Sequence, residues 1–242
     1  DAFANERFNF YNNKLSGQKE IEARWKRVLG TIEGQAGEAL GQMYVDVAFS
    51  PESKAKMETL VANLGAALKD RIQGLEWMSD ETKAKAQEKQ AAFTTKIGYP
   101  DKWREWNGLA TSRDSYIGNV LAAQEFNYRF DLGKIGKPVD KTEWGMSPQT
   151  VNAYYNPLQN EIVFPAAILQ PPFFDPSASD EMNYGGIGAV IGHEMTHGYD
   201  DQGSRFGPTG KFENWWTEAD AKGFSGRTDK LIAQFDGYTT AD

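Results

Sequence analysis

The chain is predicted to be an α+β protein, mainly helical, on three observations. Helix-start signals recur through the first 148 residues, each followed by apolar residues at helical spacing. From residue 150 the pattern changes to alternating, β-prone residues around a turn, which reads as one β-hairpin. A glycine-rich apolar run then enters a helix that carries both histidines of the chain.

The elements follow in order. Ser16 can cap a helix through about residue 29, with Ile21, Trp25 and Val28 on one face. A second helix covers about 34–49. Ser50-Pro51-Glu52 combines a cap, a proline at the first helical position and an acid in the first turn. It opens a helix in which Leu60, Leu64, Leu68 and Ile72 fall every four residues. Ser79-Asp80-Glu81 repeats the signal for a helix ending near Gly98-Tyr99-Pro100. Residues 103–109 are aromatic and turn-rich, and a further helix over 112–131 stops near Gly133. Helical periodicity is first a burial signal, so these leucine and aromatic stripes read as core.

The hairpin pairs Thr150-Val151-Asn152-Ala153-Tyr154-Tyr155 with Glu161-Ile162-Val163-Phe164 across the turn Asn156-Pro157-Leu158-Gln159-Asn160. Pro165, Pro171 and Pro172 mark an irregular stretch, and the histidine helix runs from about 184 to 201. Residues 205–210 form a loop, and Thr217 caps a last helix through about 235. No internal repeat is visible. Two regions result: a mainly helical one over 1–148, with a structural boundary near 98–105, and 149–242 with the hairpin and the histidine helix.

The 242 residues allow one large or two small domains. With 26 basic and 34 acidic residues the net charge is −8, and no basic stripe stands ready to neutralise phosphates, which argues against nucleic acid as a partner. There is no cysteine, hence no disulfide and no thiolate metal site, so any zinc ligands must be histidine and carboxylate. No stretch approaches the ~20 apolar residues that span a bilayer. Asp1-Ala2-Phe3-Ala4-Asn5 lacks the features of a signal peptide and does not start with Met, compatible with a processed chain or an internal fragment. Composition leaves the compartment open.

The chemistry lies in His193-Glu194-Met195-Thr196-His197, an H-E-x-x-H run holding the only two histidines of the chain. Residues four apart share a helix face about 6 Å apart. Two imidazoles so placed can grip one Zn²⁺ at about 2.0–2.1 Å each. Glu194 can then serve as general base towards a zinc-bound water. The flanking Gly185-Gly186-Ile187-Gly188-Ala189-Val190-Ile191-Gly192 suits a closely packed, buried helix. The motif reads as a zinc hydrolase.

A catalytic zinc usually has three protein ligands. On a straight helix Asp201 would lie about 12 Å from His193, so Asp200 or Asp201 reads either as an acceptor fixing an imidazole tautomer or as a helix-end charge. The downstream carboxylates are Glu213, Glu218, Asp220, Asp229, Asp236 and Asp242. Glu218 is the best of them by spacing, though as an acid at a helix start it also suits the macrodipole.

Val151-Asn152-Ala153-Tyr154-Tyr155, the run Ile162-Val163-Phe164-Pro165 through Gln170-Pro171-Pro172-Phe173-Phe174, and Asn183-Tyr184-Gly185-Gly186-Ile187-Gly188 together resemble the neprilysin and endothelin-converting-enzyme family of zinc metallopeptidases. The likeness extends to Arg24-Trp25-Lys26-Arg27, Leu75-Glu76-Trp77-Met78 and Ile97-Gly98-Tyr99-Pro100. The resemblance implies the end of a helical lid domain followed by the first part of a thermolysin-like zincin catalytic domain. It implies His193 and His197 as zinc ligands and Glu194 as the base. It places Asn152 and Ala153 on an edge strand that hydrogen-bonds a peptide substrate's backbone. In the family the third ligand is a glutamate in a Gly-Glu-Asn-x-x-Asp segment well downstream. Only 45 residues follow His197, and that segment is not among them.

The expectation is therefore a zinc metalloendopeptidase acting on peptides, with one Zn²⁺ per complete site and a downstream segment of the same protein supplying the third ligand. This chain alone is expected to be inactive. The alternative is a non-catalytic binding or structural fragment with an empty or incomplete zinc site.

Overall fold

The chain opens with a short helix, α1 (Ala2–Arg7), that continues as a π-helical segment over Phe8–Lys14. The structure is a computed structural model describing residues 2–239. Asp1 and the carboxylate of Asp242 lie outside the described residues. Ser16 does not start a helix. Its hydroxyl donates back to Tyr11 O at 3.1 Å, and Gly17 adopts a left-handed φ of 70°, so this pair closes the preceding helix. The two helices expected run on as one segment, α2 (Arg24–Ala48), joined across a kink at Ala36, whose φ of −143° and ψ of 37° are not helical.

Side-chain caps start the next helices. Ser50 Oγ accepts from Ser53 N–H at the head of α3 (Pro51–Gln73), and Ser79 Oγ accepts from Thr82 N–H at the head of α4 (Asp80–Ala91). Of the predicted stripe on α3, Leu60 and Ile72 are buried with Met57 and Val61, and Leu64 and Leu68 are half-buried. Helix α4 stops short of the predicted end because Thr94-Thr95-Lys96-Ile97 becomes a strand, β1 (Thr94–Gly98). Helix α5 (Tyr116–Leu132) has Ser115 as cap and ends at Gly133, as expected.

The predicted hairpin forms from β2 (Tyr154–Asn156) and β3 (Glu161–Pro165), with Tyr154 opposite Val163 and Asn156 opposite Glu161. Asn156 Oδ1 accepts from Leu158 N–H in the turn, and Asn160 takes a left-handed φ of 49°. The sheet order is β1-β3-β2, with β1 parallel to β3. Every residue of β3 is buried, and β2 is an edge of the described sheet. Helices α6 (Asp180–Gly185) and α7 (Ile187–His197) meet at Gly186, where an added Cβ would lie 2.4 Å from Phe173 O. Thr217 caps α8 (Glu218–Asp236). The architecture is mainly helical α+β.

The backbone divides into two compact units interleaved along the sequence. The first holds the described residues up to Leu40 together with Trp103–Val139, and the second holds Gly41–Lys102 together with the described residues from Asp140 onward. In the first, the Arg104 guanidinium lies 3.9 Å from the centroid of the Phe130 ring and 4.5 Å from that of Trp106. Asn127 links Arg104 Nη2 to Gln35 O, at 2.8 and 2.9 Å.

In the second unit β3 is buried, as are Ile187 and Ile191 of α7, a helix that packs against α3 and β2. A further cluster of Ile72, Met78, Ala86, Tyr199, Trp215 and Trp216, flanked by Trp77 and Phe224, joins α3, α4 and α8 to the residues just after α7. Among the described residues no helix is long and apolar enough to cross a membrane.

Candidate metal centre

The apolar spacing of α7 decides which side chains point outward. Ile187, Ile191, Glu194 and Met195 share the buried face. His193 then falls on the exposed side, and the His197 imidazole is 42% exposed. Their Nε2 atoms face each other at 3.1 Å. Two ligands bound to one tetrahedral ion at about 2.0–2.1 Å stand about 3.3 Å apart. The pair therefore fits a shared zinc with almost no adjustment. A carboxylate oxygen of Glu194 completes a group whose ligand atoms all lie within 4.8 Å of one another.

The sequence expects α7 to continue to residue 201, but it ends at His197. Asp200 competes for the backbone here: its Oδ1 accepts from the N–H groups of Gln202 and Gly203, at 2.9 and 2.7 Å. The turn brings Asp200 Oδ2 to 2.9 Å from His197 Nδ1. His197 Nδ1–H thus donates to a carboxylate, and its Nε2 keeps a lone pair for a metal. The straight-helix distance drawn for Asp201 does not apply. Asp201 is exposed, accepts from Gln202 Nε2, and does not reach the histidines.

Glu194 is 7% exposed. Burial pushes its pKa above the ordinary value, and the neighbouring imidazoles and the Tyr155 backbone N–H only partly pull it back. Asn152 and Ala153 lie immediately before β2. Asn152 is exposed, its Oδ1 accepts from Ala153 N–H at 2.9 Å, and Ala153 is buried. Both belong to the segment entering the sheet edge nearest α7, although neither is in the strand itself.

Glu218 is not brought to the histidines. It sits exposed in the first turn of α8, where the helix dipole accounts for it. Among the described residues no other His, Cys, Asp or Glu joins the group.

Two features of the centre were not legible in the sequence: the Tyr155 N–H aimed at Glu194, and Gly203. A Cβ on Gly203 would lie 2.1 Å from His197 O and 2.4 Å from Gly198 C, so only glycine lets the 200–203 turn press onto the end of α7.

Comparison with known proteins identifies the family of the chain. Residues 1–100 and 152–242 each match peptidase family M13. Human neprilysin is 38% identical over 239 residues, covering 96% of this chain and 32% of its own length. The zinc metalloprotease ZMP1 of Mycobacterium tuberculosis, solved with an inhibitor, superposes with a TM-score of 0.91 at 48% identity, over 99% of this chain and 36% of that one. PEPO of Lactobacillus rhamnosis superposes with a TM-score of 0.87 at 33% identity, over 96% and 37%. The chain thus spans about a third of the length of these relatives. With the histidine helix, its turn and the strands beside it all inside the matched region, the chain belongs to peptidase family M13.

Proposed function

We propose that the chain is the central part of a zinc metalloendopeptidase that cleaves peptides. The observation that carries this is the 3.1 Å approach of two exposed imidazole nitrogens above a buried glutamate. The names of the relatives, a neprilysin and a zinc metalloprotease, support the same reading. His193 and His197 would hold the ion, and Asp200 would fix His197 in the tautomer that binds it. Zinc bound there would supply a Lewis acid for the scissile carbonyl and acidify the attacking water.

Glu194 would take the proton from that water and deliver it to the leaving amine. Burial suits it to both steps, because a pKa above the ordinary carboxylate value makes it a stronger base. Asn152 and Ala153, exposed and buried neighbours at the head of edge strand β2, would pair with the substrate backbone by strand addition. The third ligand would be a glutamate of a downstream segment, and this chain without it would bind zinc weakly and cleave nothing measurable.

The test is cleavage of an internally quenched peptide by the longer protein, with and without a chelator. Chelator-sensitive turnover that Glu194→Gln removes while zinc stays bound is the expected result. Turnover unaffected by either treatment would refute the proposal.

A further inference from the structure

We propose that Lys89, on α4 and remote from the H-E-x-x-H run in sequence, is a positioning residue that sets the His197–Asp200 pair. The inference rests on the reading of His193 and His197 as zinc ligands.

Lys89 is fully buried, at 0% exposure. Its Nζ donates to Gly203 O and to Phe206 O, at 2.7 Å each. The ammonium also lies 5.4 Å from the ring centroid of Trp215 and 5.7 Å from that of Tyr155. Trp215 Nε1–H donates to the same Gly203 carbonyl at 3.1 Å. At the other end, Asn160 Nδ2 donates to Lys89 O at 3.0 Å, and Tyr155 OH donates to Asn160 Oδ1. Lys89 is thereby tied both to β2 and to the turn after α7.

Gly203 transmits the effect. Its carbonyl is held by Lys89 and Trp215, its N–H donates to Asp200 Oδ1 at 2.7 Å, and a side chain on it would collide with the backbone of His197 and Gly198. A shift of this residue moves the Asp200 carboxylate relative to His197 Nδ1. Burying an ammonium strips it of hydration at a cost, and a methionine would fill the slot without that cost. A lysine is favoured there only if its donors hold something in place, and what they hold is the turn that carries Asp200. The charge also complements that carboxylate: burial lowers the Lys89 pKa, Asp200 opposes the shift, and the net value of about 8 keeps the cation at neutral pH.

The experiment measures zinc dissociation constants by competition with a chromophoric chelator, in the longer protein. Loss of a group that supports a metal ligand typically weakens zinc binding about 10–100-fold. Lys89→Met should weaken it at least tenfold, and Asp200→Ala by a similar factor. The double variant should be no more than about threefold weaker than the worse single one, because both substitutions remove one linkage. A folded Lys89→Met protein that binds zinc within twofold of the parent, or losses that multiply, would overturn the inference. If Lys89→Met does not fold, Trp215→Phe removes the other donor to Gly203 O while keeping a ring against the ammonium. It should cost about threefold, and unchanged affinity would overturn the clamp. His193→Ala separates the two levels. If zinc binding survives it, the metal centre is misassigned and the inference falls with it. If it abolishes binding while Lys89→Met is silent, only the role of Lys89 is lost.

Discussion

Two buried carboxylates of the second unit, Glu194 and Asp220, are held in opposite electrostatic states. Asp220 is 1% exposed and accepts hydrogen bonds from the Ser79 N–H and hydroxyl at 2.7 Å each, from the Thr82 hydroxyl at 2.6 Å and from the Thr217 hydroxyl. Burial alone would raise its pKa, but these donors together outweigh burial and hold the carboxyl far below its usual range. Glu194 is about equally buried, yet burial wins there and the pKa rises. Four donors face the Asp220 carboxylate, against the single Tyr155 backbone N–H at Glu194. Asp220 ties the starts of α4 and α8 together with four donors on its carboxylate, whereas Glu194 keeps the raised pKa that its proposed role as a base needs.

The largest effect expected from this contrast is on catalysis. Glu194→Gln should lower peptide turnover in the longer protein by about 10²–10⁴-fold, with zinc content by elemental analysis unchanged. A variant that keeps more than a tenth of parental turnover would place the base elsewhere.

Next in size, Asp220→Ala leaves four donors, one of them fully buried, without an acceptor. It should destabilise the protein by about 3 kcal/mol, or about 10 °C in the thermal midpoint, while zinc affinity holds. The pH dependence has a definite sign. The folded-state pKa of Asp220 is depressed, so its contribution is complete above the ordinary carboxylate range near pH 4 and is lost as pH falls towards the depressed value. Asp220→Asn should flatten the acid limb of the stability curve, and an unchanged acid limb would contradict the assignment.

Smaller still is the cap itself. Thr217 Oγ1 accepts from Asp220 N–H at 3.1 Å and donates to the Asp220 carboxylate. Thr217→Ala should cost about 1–2 kcal/mol by urea titration. A loss as large as that of Asp220→Ala would mean that Thr217 is the main donor, and the carboxylate only a neighbour.

The legible parts of the molecule were those written locally. Ser50, Ser79 and Thr217 announce their helices because the capping side chain and the N–H it accepts from lie three residues apart. The H-E-x-x-H run states its own geometry through the helical repeat. Strand β1 was misread as the tail of α4, because its partner Glu161–Pro165 lies far downstream and supplies the pairing that Thr94–Gly98 cannot find locally. The end of α7 was misplaced for a related reason. Asp200 bonds the N–H groups of residues after it, a turn that helical periodicity does not anticipate. Lys89 was wholly illegible. It stands in Lys85-Ala86-Gln87-Glu88-Lys89-Gln90, a polar run that reads as solvated surface, and only the tertiary arrangement buries it.

The smallest effect carries the opposite sign and tests the contrast most directly. The folded-state pKa of Glu194 is raised, so its charged form is disfavoured in the folded protein. That cost is complete above the raised pKa and vanishes below the ordinary carboxylate range. In the metal-free protein, Glu194→Gln should therefore raise stability at pH 8 by a few tenths to about 1 kcal/mol, and leave it unchanged at pH 4, where glutamate is already mostly neutral. Differential scanning calorimetry at the two pH values resolves such a shift. A loss of stability at pH 8 would mean that the Tyr155 N–H and the imidazoles satisfy Glu194 as completely as Ser79, Thr82 and Thr217 satisfy Asp220. The two carboxylates would then differ in position but not in kind, and burial of Glu194 could no longer explain how it serves as a base.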